Sequence, residues 1–377
     1  MRLSAQDILP ADSFAGTLVG RLWMDDGPHV VAVRAAGLFD LSALAPTMSD
    51  LLDLPNPAAA VGAHAGVRLT SLDEALGRQA LLAPCDLAAI KAAGVTFADS
   101  LLERVIEERA KGDPRAGQAL RSELAAALGG ELTALKPGSE AAMALRGALT
   151  ARGQWSQYLE VGIGPDAEIF TKAQPMSAVG CGAEVGLHPK SVWNNPEPEV
   201  VLACSSRGQA VGASLGNDVN LRDFEGRSAL LLSRAKDNNA SCAIGPFIRL
   251  FDESFGLDDV RQARVRLTIT GEDGFRAQAE SSMRRISRDP LELVAATCGA
   301  EHQYPDGFML FLGAGCVPTD DRRGAGEGFT HETGDVVCVA ANELGALVNI
   351  VTTSDRAPPW RFGAGALMRS LAARGLL

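Results

Sequence analysis

Two glutamates spaced two residues apart open an apolar stretch of the sequence. Glu197 and Glu199 belong to PEPEVVLAC, which has the composition of a buried β-strand. Alternate residues of a strand face the same side, so the two carboxylates are expected to lie together. Carboxylates held that close repel each other and raise one another's pKa unless they share a cation. The pair therefore predicts a site for a hard cation with oxygen ligands.

Asp218 is the expected third ligand. It lies in the polar run GNDVNLRD, directly after the second apolar strand of the same predicted hairpin. Three carboxylates leave coordination positions open for a chelating small molecule, and this donor set suits Mg²⁺, with Mn²⁺ or Ca²⁺ as alternatives. For the E-x-E motif alone, solvated loop carboxylates and a turn-capping aspartate are the favoured interpretation, because acidic pairs are common.

A longer sequence pattern favours the metal site over solvated loop carboxylates. The run from Glu197 to Asp223 resembles the E-x-E and N-D-x-x-x-R-D signature of the fumarylacetoacetate hydrolase superfamily, at its usual separation. The resemblance implies a β-roll core, Mg²⁺ held by Glu197, Glu199 and Asp218, and a substrate with an α-keto acid or β-diketone head. Similar segments lie in the same order between about residues 160 and 350: Phe170-Thr171-Lys172, Lys236 before Ile244-Gly245-Pro246-Phe247, Asp306-Gly307-Phe308, Gly313 to Pro318, and Gly334-Asp335-Val336-Val337.

The resemblance also implies roles for basic residues. Arg222 would hold the substrate carboxylate through parallel donors, and Lys236 would act beside the keto group as a base or proton donor. Next to a divalent cation and Arg222, the pKa of Lys236 is expected to fall. Lys172 is a further candidate cation for substrate binding. The alternatives are an arginine paired with Asp223 and two solvated loop lysines.

The sequence departs from the hydrolases of this superfamily at several positions. Ser100, a candidate substrate contact, stands where they commonly carry a histidine that activates water, and serine is no general base at neutral pH. Glu103 remains, on a predicted helix from which it would exchange protons with the substrate at C3 or C4, unless it is one of several exposed helix acids. Glu225 replaces a common glutamine and is a candidate substrate contact. In the final strand region, Gly313-Ala314-Gly315 replaces G-T-G.

These departures favour a metal-dependent hydro-lyase. The branch that the sequence resembles most is that of the 2-keto-3-deoxy-pentonate (arabinonate) dehydratases, which would form 2,5-dioxopentanoate and water; residues 82–97 are also similar to it. The first alternative is a hydrolase that cleaves a carbon-carbon bond of acylpyruvates or 2,4-diketo acids at the same metal site. A binding or structural relative without turnover would leave the carboxylate triad and Lys236 unexplained.

The strands and helices that must position these residues predict an α+β protein, with a mixed or antiparallel β-roll core and peripheral helices. Hairpins are predicted around Arg207-Gly208 and Asp273-Gly274 and within residues 334–353, and helices over 98–112, 114–130 and 139–153. Residues 54–66, rich in Pro, Ala and Gly, are interpreted as loop or linker. We expect a small β-rich N-terminal domain over 1–85 and a catalytic domain over 86–377, with a helical segment at about 98–152.

Composition limits the partners. The net charge is −11, from 35 basic and 46 acidic residues, and no run of Lys and Arg offers nucleic acid a local exception. Seven scattered cysteines predict reduced thiols, and the five histidines show no metal-ligand spacing. The first residues lack a signal-peptide pattern and no stretch suits a membrane span, so a cytoplasmic location is expected. The superfamily resemblance implies a homodimer or higher homo-oligomer acting on a small 2-keto acid.

Overall fold

A computed structural model describes residues 2–117, 135–153 and 155–377 of the chain. The sixteen strands of these residues form two sheets. They are β1 Leu18–Met24, β2 Gly27–Arg34, β3 Gly37–Asp40, β4 Val67–Thr70, β5 Leu81–Leu82, β6 Ala89–Gly94, β7 Glu168–Ala173, β8 Glu184–Leu187, β9 Pro198–Cys204, β10 Ala210–Asp218, β11 Cys242–Leu250, β12 Arg264–Thr270, β13 Arg276–Ser282, β14 Phe308–Phe311, β15 Val336–Ala341 and β16 Gly345–Thr353.

The helices of the described residues surround these sheets. They are α1 Ala5–Ile8, α2 Met48–Leu52, α3 Pro57–Ala63, α4 Leu72–Gly77, α5 Ala98–Ala110, α6 Glu140–Ala151, α7 Gln157–Ile163, α8 Arg222–Glu225, α9 Leu232–Lys236, α10 Leu257–Gln262, α11 Pro290–Thr297 and α12 Ala364–Ala373, with single 3₁₀ turns at Ala229–Leu231 and Met283–Arg285. Most of the predicted helix over 114–130 lies outside the described residues.

Both sheets mix antiparallel and parallel pairs. The larger has the order β4-β3-β2-β1-β11-β10-β9-β14-β6-β7, with β5 paired to β1, and only its β14–β6 pair is parallel. The smaller has the order β13-β12-β15-β16-β8, and its β16–β8 pair is parallel. The predicted hairpins are confirmed as β9–β10, β12–β13 and β15–β16. These pairings confirm the α+β class with a mixed β core.

The two sheets pack on one another through apolar side chains. Leu215 of β10, Leu267 of β12 and Leu347 of β16 belong to one buried cluster and are each no more than 1% exposed. On its other face, the larger sheet has a second buried cluster that includes Val201 of β9 and Phe311 of β14. Strands buried on both faces explain the continuous apolar runs in the sequence.

Helix α5 covers one end of this core. Its apolar stripe includes Leu101, Val105 and Ile106, which pack with side chains of α6 and α7. The helix ends at Lys111, which has a left-handed φ of 51°, and Gly112 follows with a φ of 77°. A Cβ on Gly112 would lie 2.6 Å from the carbonyl oxygen of Asp223, so glycine also permits a close approach to α8.

The interpretation of residues 54–66 as loop is wrong, because they contain α3. Asn56 accepts a hydrogen bond from the backbone of Ala59, and Pro57 stands at the first helical position, where its missing N–H costs nothing. Ala58 and Val61 are buried against the second apolar cluster. The apolar period of this helix is weak because its side chains are short. The Asn56-Pro57 pair is the sequence feature that indicates where the helix begins.

The cysteines and the N-terminal strands can also be compared with the predictions from the sequence. All seven cysteines are free thiols, as predicted. Strand β1 pairs with β11 as well as with β2, so the N-terminal strands continue the larger sheet; the domain boundary near residue 85 stays a prediction. Within the described residues, every helix is too short or too polar to cross a bilayer.

Candidate metal centre and active site

The β9–β10 hairpin brings the three predicted metal ligands together. Glu197 precedes β9, Glu199 is its second residue, and Asp218 is the last residue of β10. The backbone N–H of Asp218 donates to the carbonyl oxygen of Glu197 at 3.0 Å, which fixes the register at the end of the hairpin. Ligand atoms of the three carboxylates all lie within 4.8 Å of one another. The same-face prediction and the position of the third acid are therefore both met.

These carboxylates are buried among basic side chains. Glu197, Glu199 and Asp218 are 4%, 3% and 1% exposed. Lys236, at the end of α9, places its Nζ 2.5 Å from Glu197 Oε2 and 3.0 Å from Asp218 Oδ2. Lys172 of β7 places its Nζ 3.0 Å from Asp218 Oδ1. Both lysines, interpreted from sequence as possible loop residues, are fully enclosed.

Lys172 lies behind the site. Its ammonium group also donates to the carbonyl oxygens of Val219 and Lys236, and its side chain is fully buried. The side chain is absent from the lining of the cavity in front of the triad. In the structure the ammonium group of Lys172 contacts Asp218, and its role in substrate binding stays a prediction from the sequence.

Arg222, the first residue of α8, is already engaged by the protein. Its Nε donates to Asn195 Oδ1 at 2.7 Å, and its guanidinium lies 3.3 Å from carboxylate oxygens of both Glu103 and Glu107. The guanidinium also lies over the Trp193 ring, 5.4 Å from the centroid. Arg222 lines the cavity, but its geometry is fixed by α5 carboxylates as well as by any ligand.

A polar stripe of α5 faces the same cavity. Ser100, Glu103, Arg104 and Glu107 follow the spacing i, i+3, i+4, i+7 and all line it, on the face opposite the buried leucines. The backbone N–H of Phe97 donates to Ser100 Oγ at 3.3 Å, and Oγ donates to the carbonyl oxygen of Phe97 at 2.8 Å, so the hydroxyl is engaged with the first turn of its own helix. Sequence reasoning found Ser100 and Glu103 but missed Arg104 and Glu107, although their helical spacing was available.

Arg104 joins several acids of the site. Its Nη1 lies 2.6 Å from Glu225 Oε2 and 2.8 Å from Glu107 Oε2, and its Nη2 contacts Glu197 Oε1. Glu225, predicted as a substrate contact, lines the cavity and is 4% exposed. The cavity is lined by Ala93, Gly94, Val95, Ser100, Glu103, Arg104, Glu107, Glu168, Phe170, Glu197, Glu199, Asp218, Arg222, Glu225, Lys236, Gly313, Ala314 and Val317.

Glu168 is a further acid that sequence reasoning missed. It begins β7 opposite Gly94 of β6, and a Cβ on Gly94 would lie 2.0 Å from Glu168 Oε2. The glycine therefore makes room for this carboxyl group at the cavity wall. Burial raises the pKa of Glu168 above its ordinary value. A lone glutamate at the start of a short strand carried no motif that could have revealed it.

The carboxylates of the triad differ in their electrostatic surroundings. Burial and the nearby charges of Asp218 and Glu197 raise the pKa of Glu199 well above its ordinary value. Burial also acts to raise the pKa of Glu197, but Arg104 and Lys236 outweigh it and hold that pKa below its usual range. The triad therefore combines an acid that favours its proton with one that stays ionised.

The pKa values of Lys236 and Glu225 are both raised above their ordinary values. Burial acts to lower the pKa of Lys236, yet Asp218, Glu197 and Glu225 together raise it. The expected fall was argued for a site that holds a divalent cation, and it stays a prediction from the sequence. Burial raises the pKa of Glu225 to about 7 against the opposing effect of Arg104. Lys236 is thus a protonated donor at neutral pH.

The donor set fits a hard divalent cation. Glu197, Glu199 and Asp218 offer only carboxylate oxygens, which are the ligands that Mg²⁺ and Mn²⁺ prefer. The backbone N–H of Gly313 donates to Glu199 Oε2 at 2.6 Å, so one oxygen of this ligand is oriented from outside. Buried like charges this close are costly unless positive charge is shared among them. The residues present therefore suit a bound metal.

Comparison with solved structures defines the class. A 2-keto-3-deoxy-D-arabinonate dehydratase complexed with magnesium and 2,5-dioxopentanoate matches with a TM-score of 0.62 at 19% identity, covering 89% of this chain and 99% of that one. A fumarylacetoacetate hydrolase from Exiguobacterium antarcticum matches with a TM-score of 0.56 at 16% identity, over 89% and 99%. The chain therefore has the fold of the fumarylacetoacetate hydrolase superfamily, as the motifs predicted.

Sequence comparison points to particular relatives. The chain is 29% identical over 188 residues to the 2-dehydro-3-deoxy-D-arabinonate dehydratase of Saccharolobus solfataricus, which is 49% of this chain and 58% of that enzyme. It is 29% identical over 196 residues to a probable 2-keto-3-deoxyxylonate dehydratase of Haloferax volcanii, 52% of this chain and 64% of that protein. The chain thus spans about three fifths of the length of these curated relatives. No protein-family model matches it.

Proposed function

We propose that this protein is a Mg²⁺-dependent dehydratase that converts a 2-keto-3-deoxy-pentonate to 2,5-dioxopentanoate and water. The observation that carries the proposal is the convergence on one cavity of three buried carboxylates, the Lys236 ammonium group and the Glu103 side chain of α5. The sequence similarity to two enzymes named as dehydratases of this substrate class supports it.

The substrate head would lie at the triad. A divalent cation held by Glu197, Glu199 and Asp218 would supply Lewis-acid charge to the C1 carboxylate and C2 ketone of a 2-keto acid. Lys236 lies 2.5 to 3.0 Å from two of these ligands, so its ammonium group would donate to the negative charge that develops at the C2 oxygen. Arg222 would add positive charge beside the C1 carboxylate.

Elimination then requires two proton transfers. A base removes the C3 proton, an acid protonates the leaving C4 hydroxyl as water, and a C3=C4 double bond forms. A proton moved from C5 back to C3 gives the enol of the C5 aldehyde, which tautomerises to the dioxo acid. Glu103 of α5 and Glu168 of β7 both line the cavity and are the two candidate proton carriers. The raised pKa of Glu168 suits the acid.

The position of Ser100 favours elimination over carbon-carbon hydrolysis. Hydrolysis needs a base to activate water, and the Ser100 hydroxyl is hydrogen-bonded to both the N–H and the carbonyl oxygen of Phe97. The hydrolase alternative would leave water activation to Glu103, which also engages Arg222. The homodimer, the cytoplasmic location and the domain boundary near residue 85 remain predictions from the sequence.

The test is a comparison of product classes. The purified protein is incubated with Mg²⁺ and either 2-keto-3-deoxy-pentonates or acylpyruvates, and products are identified by mass spectrometry. We expect a five-carbon dioxo acid from the sugar acid and no pyruvate from the acylpyruvate. Efficient cleavage of acylpyruvate with the sugar acid untouched would replace the dehydratase by the hydrolase alternative.

A further inference from the structure

We propose that Arg104 is a positioning residue that orients the metal ligand Glu197 and holds α5 against the site. This inference rests on the proposed metal centre but not on the identity of the substrate. Arg104 lies on the cavity-facing stripe of α5, opposite the apolar stripe, and its side chain is 11% exposed. A guanidinium group in that position offers several donors in one plane.

The first step concerns the two oxygens of Glu197. Arg104 contacts Oε1, and Lys236 contacts Oε2, which is the oxygen on the side of Asp218 because the same ammonium group also reaches Asp218. Arg104 therefore fixes the carboxylate from its outer oxygen and leaves Oε2 directed into the triad. Partners that orient a ligating carboxylate in this way commonly change metal affinity by about 10- to 100-fold.

The second step concerns the contact between α5 and α8. Arg104 pairs with Glu225 of α8, and Arg222 of α8 pairs with Glu103 and Glu107 of α5. A Cβ on Gly226 would lie 2.7 Å from the carbonyl oxygen of Glu107, so the two segments touch through their backbones. Charges alternate across this contact, and they tie the helix that carries Glu103 to the ligand Glu197.

Removal of Arg104 would leave acids without their shared cation. Glu107, Glu197 and Glu225 are buried and each lies in contact with its guanidinium. Glu107 would keep its contact with Arg222 and Glu197 its contact with Lys236. Buried carboxylates that lose a neighbouring cation nevertheless repel one another more strongly and favour a change of conformation or protonation. Glu197 would then lose its fixed orientation, and α5 would lose its attachment to the metal ligand. Both metal affinity and the delivery of Glu103 should suffer.

The experiment measures metal binding without substrate. Mn²⁺ is titrated into wild-type protein, Arg104→Gln, Arg104→Lys and the control Arg109→Gln, and Kd is obtained by calorimetry and electron paramagnetic resonance. Arg109 lies on the same helix but is exposed. We expect Kd to rise about 10- to 100-fold in Arg104→Gln, to recover partly in Arg104→Lys, and to stay unchanged in Arg109→Gln. Wild-type Mn²⁺ affinity in folded Arg104→Gln overturns the proposal.

A double variant covers the case in which Arg104→Gln fails to fold. Arg104→Gln combined with Glu225→Gln removes one charge of each sign, which relieves the repulsion while leaving Glu197 without its guanidinium. We expect this protein to fold by circular dichroism and still to bind Mn²⁺ at least 10-fold more weakly. Wild-type affinity in the double variant overturns the role of Arg104. Normal Mn²⁺ binding by the wild type without turnover of any sugar acid would instead overturn the proposed function and leave the Arg104 inference standing.

Discussion

At the scale of single residues, negative charge is in excess in the cavity. Its lining carries the carboxyl groups of seven acids and the positive charges of Arg104, Arg222 and Lys236. An enclosed set of side chains with excess negative charge is stable only if it takes up protons or a cation. Burial is the main cause of the raised pKa values of Glu199, Glu225 and Glu168, and neighbouring carboxylates add to it. Metal binding and proton binding should therefore compete.

We predict that divalent metal releases protons from the site. Burial and the charges of Asp218 and Glu197 raise the pKa of Glu199 well above its ordinary value, so the metal-free site favours the protonated form of this acid, and a metal that takes it as a ligand must displace the proton. Mn²⁺ affinity should consequently weaken as pH falls, and binding at pH 7 should release up to about one proton per site. Calorimetry in buffers of different ionisation enthalpy measures the release.

The isosteric variant Glu199→Gln provides the control for that measurement. It keeps the shape of the side chain but removes both the proton and the ligating charge, so metal binding itself should be lost. Activity lost to a chelator should return with Mg²⁺ in wild type and not in the variant. Metal-independent activity in Glu199→Gln would contradict the assignment of the triad.

Arg222 and Lys236 should differ in what their loss affects. Arg222→Ala is expected mainly to raise KM, because it removes positive charge beside the substrate carboxylate. Lys236→Ala is expected mainly to lower kcat, because the donor at the developing charge is gone. Steady-state kinetics with a 2-keto-3-deoxy-pentonate separates the two effects. Since Arg222 also holds Glu103 and Glu107, thermal unfolding must accompany the kinetics. Wild-type constants in both variants would show that neither residue serves the site.

Residues of the cavity could be recognised from the sequence where a motif or the period of a strand places them. The E-x-E pair and Asp218 were recognisable because a strand and a motif place them. Arg104 and Glu168 were not, since their importance arises from contacts with Glu197 and Gly94, which are distant in sequence. Lys172 was found from its motif position, but its contact with Asp218 from outside the cavity lining was not predictable, because a motif position does not reveal on which side of Asp218 a lysine lies.

At the scale of elements, α5 separates packing from chemistry on its two faces. Leucine and β-branched side chains hold it to α6 and α7, while the opposite stripe lines the cavity. Its boundaries were predictable from the apolar period and from Gly112. The short helix α3 was not, because alanines give little periodicity and its start depends on one capping bond from Ala59 to Asn56.

Glu103 of α5 should be required for turnover and not for the fold. Glu103→Gln preserves the shape of the side chain and its ability to contact Arg222, but removes the ionisable proton. We expect kcat to fall by about 100-fold or more, with little change in Tm. Glu108→Gln on the same helix, outside the cavity lining, is the matched control and should keep wild-type kcat. An unchanged kcat in Glu103→Gln would transfer the proton-carrying role to Glu168.

At the scale of the whole molecule, the site depends on pairings between distant segments. Strand β14 lies between β9 and β6, and β11 joins the β9–β10 hairpin, which carries the carboxylate triad, to the N-terminal strand β1. Hairpins were predictable because their partners are adjacent in sequence. The strand order of the larger sheet was not predictable, because several of the apolar strands could have paired with the same neighbour. The resemblance to a superfamily supplied the β-roll that local patterns left open.

The continuity of that sheet predicts that the N-terminal strands and the metal centre unfold together. Leu22 of β1 is fully buried and lies opposite residues of both β2 and β5, so Leu22→Ala should reduce the free energy of unfolding by about 2–5 kcal/mol. Leu230→Ala, at a side chain that is 94% exposed, should change it by less than about 0.5 kcal/mol. Because β1 pairs directly with β11, calorimetric scans of Leu22→Ala should show one transition, which Mn²⁺ shifts as a whole to higher temperature. Two transitions, of which Mn²⁺ moves only one, would show instead that the predicted domain boundary near residue 85 separates two units that unfold independently.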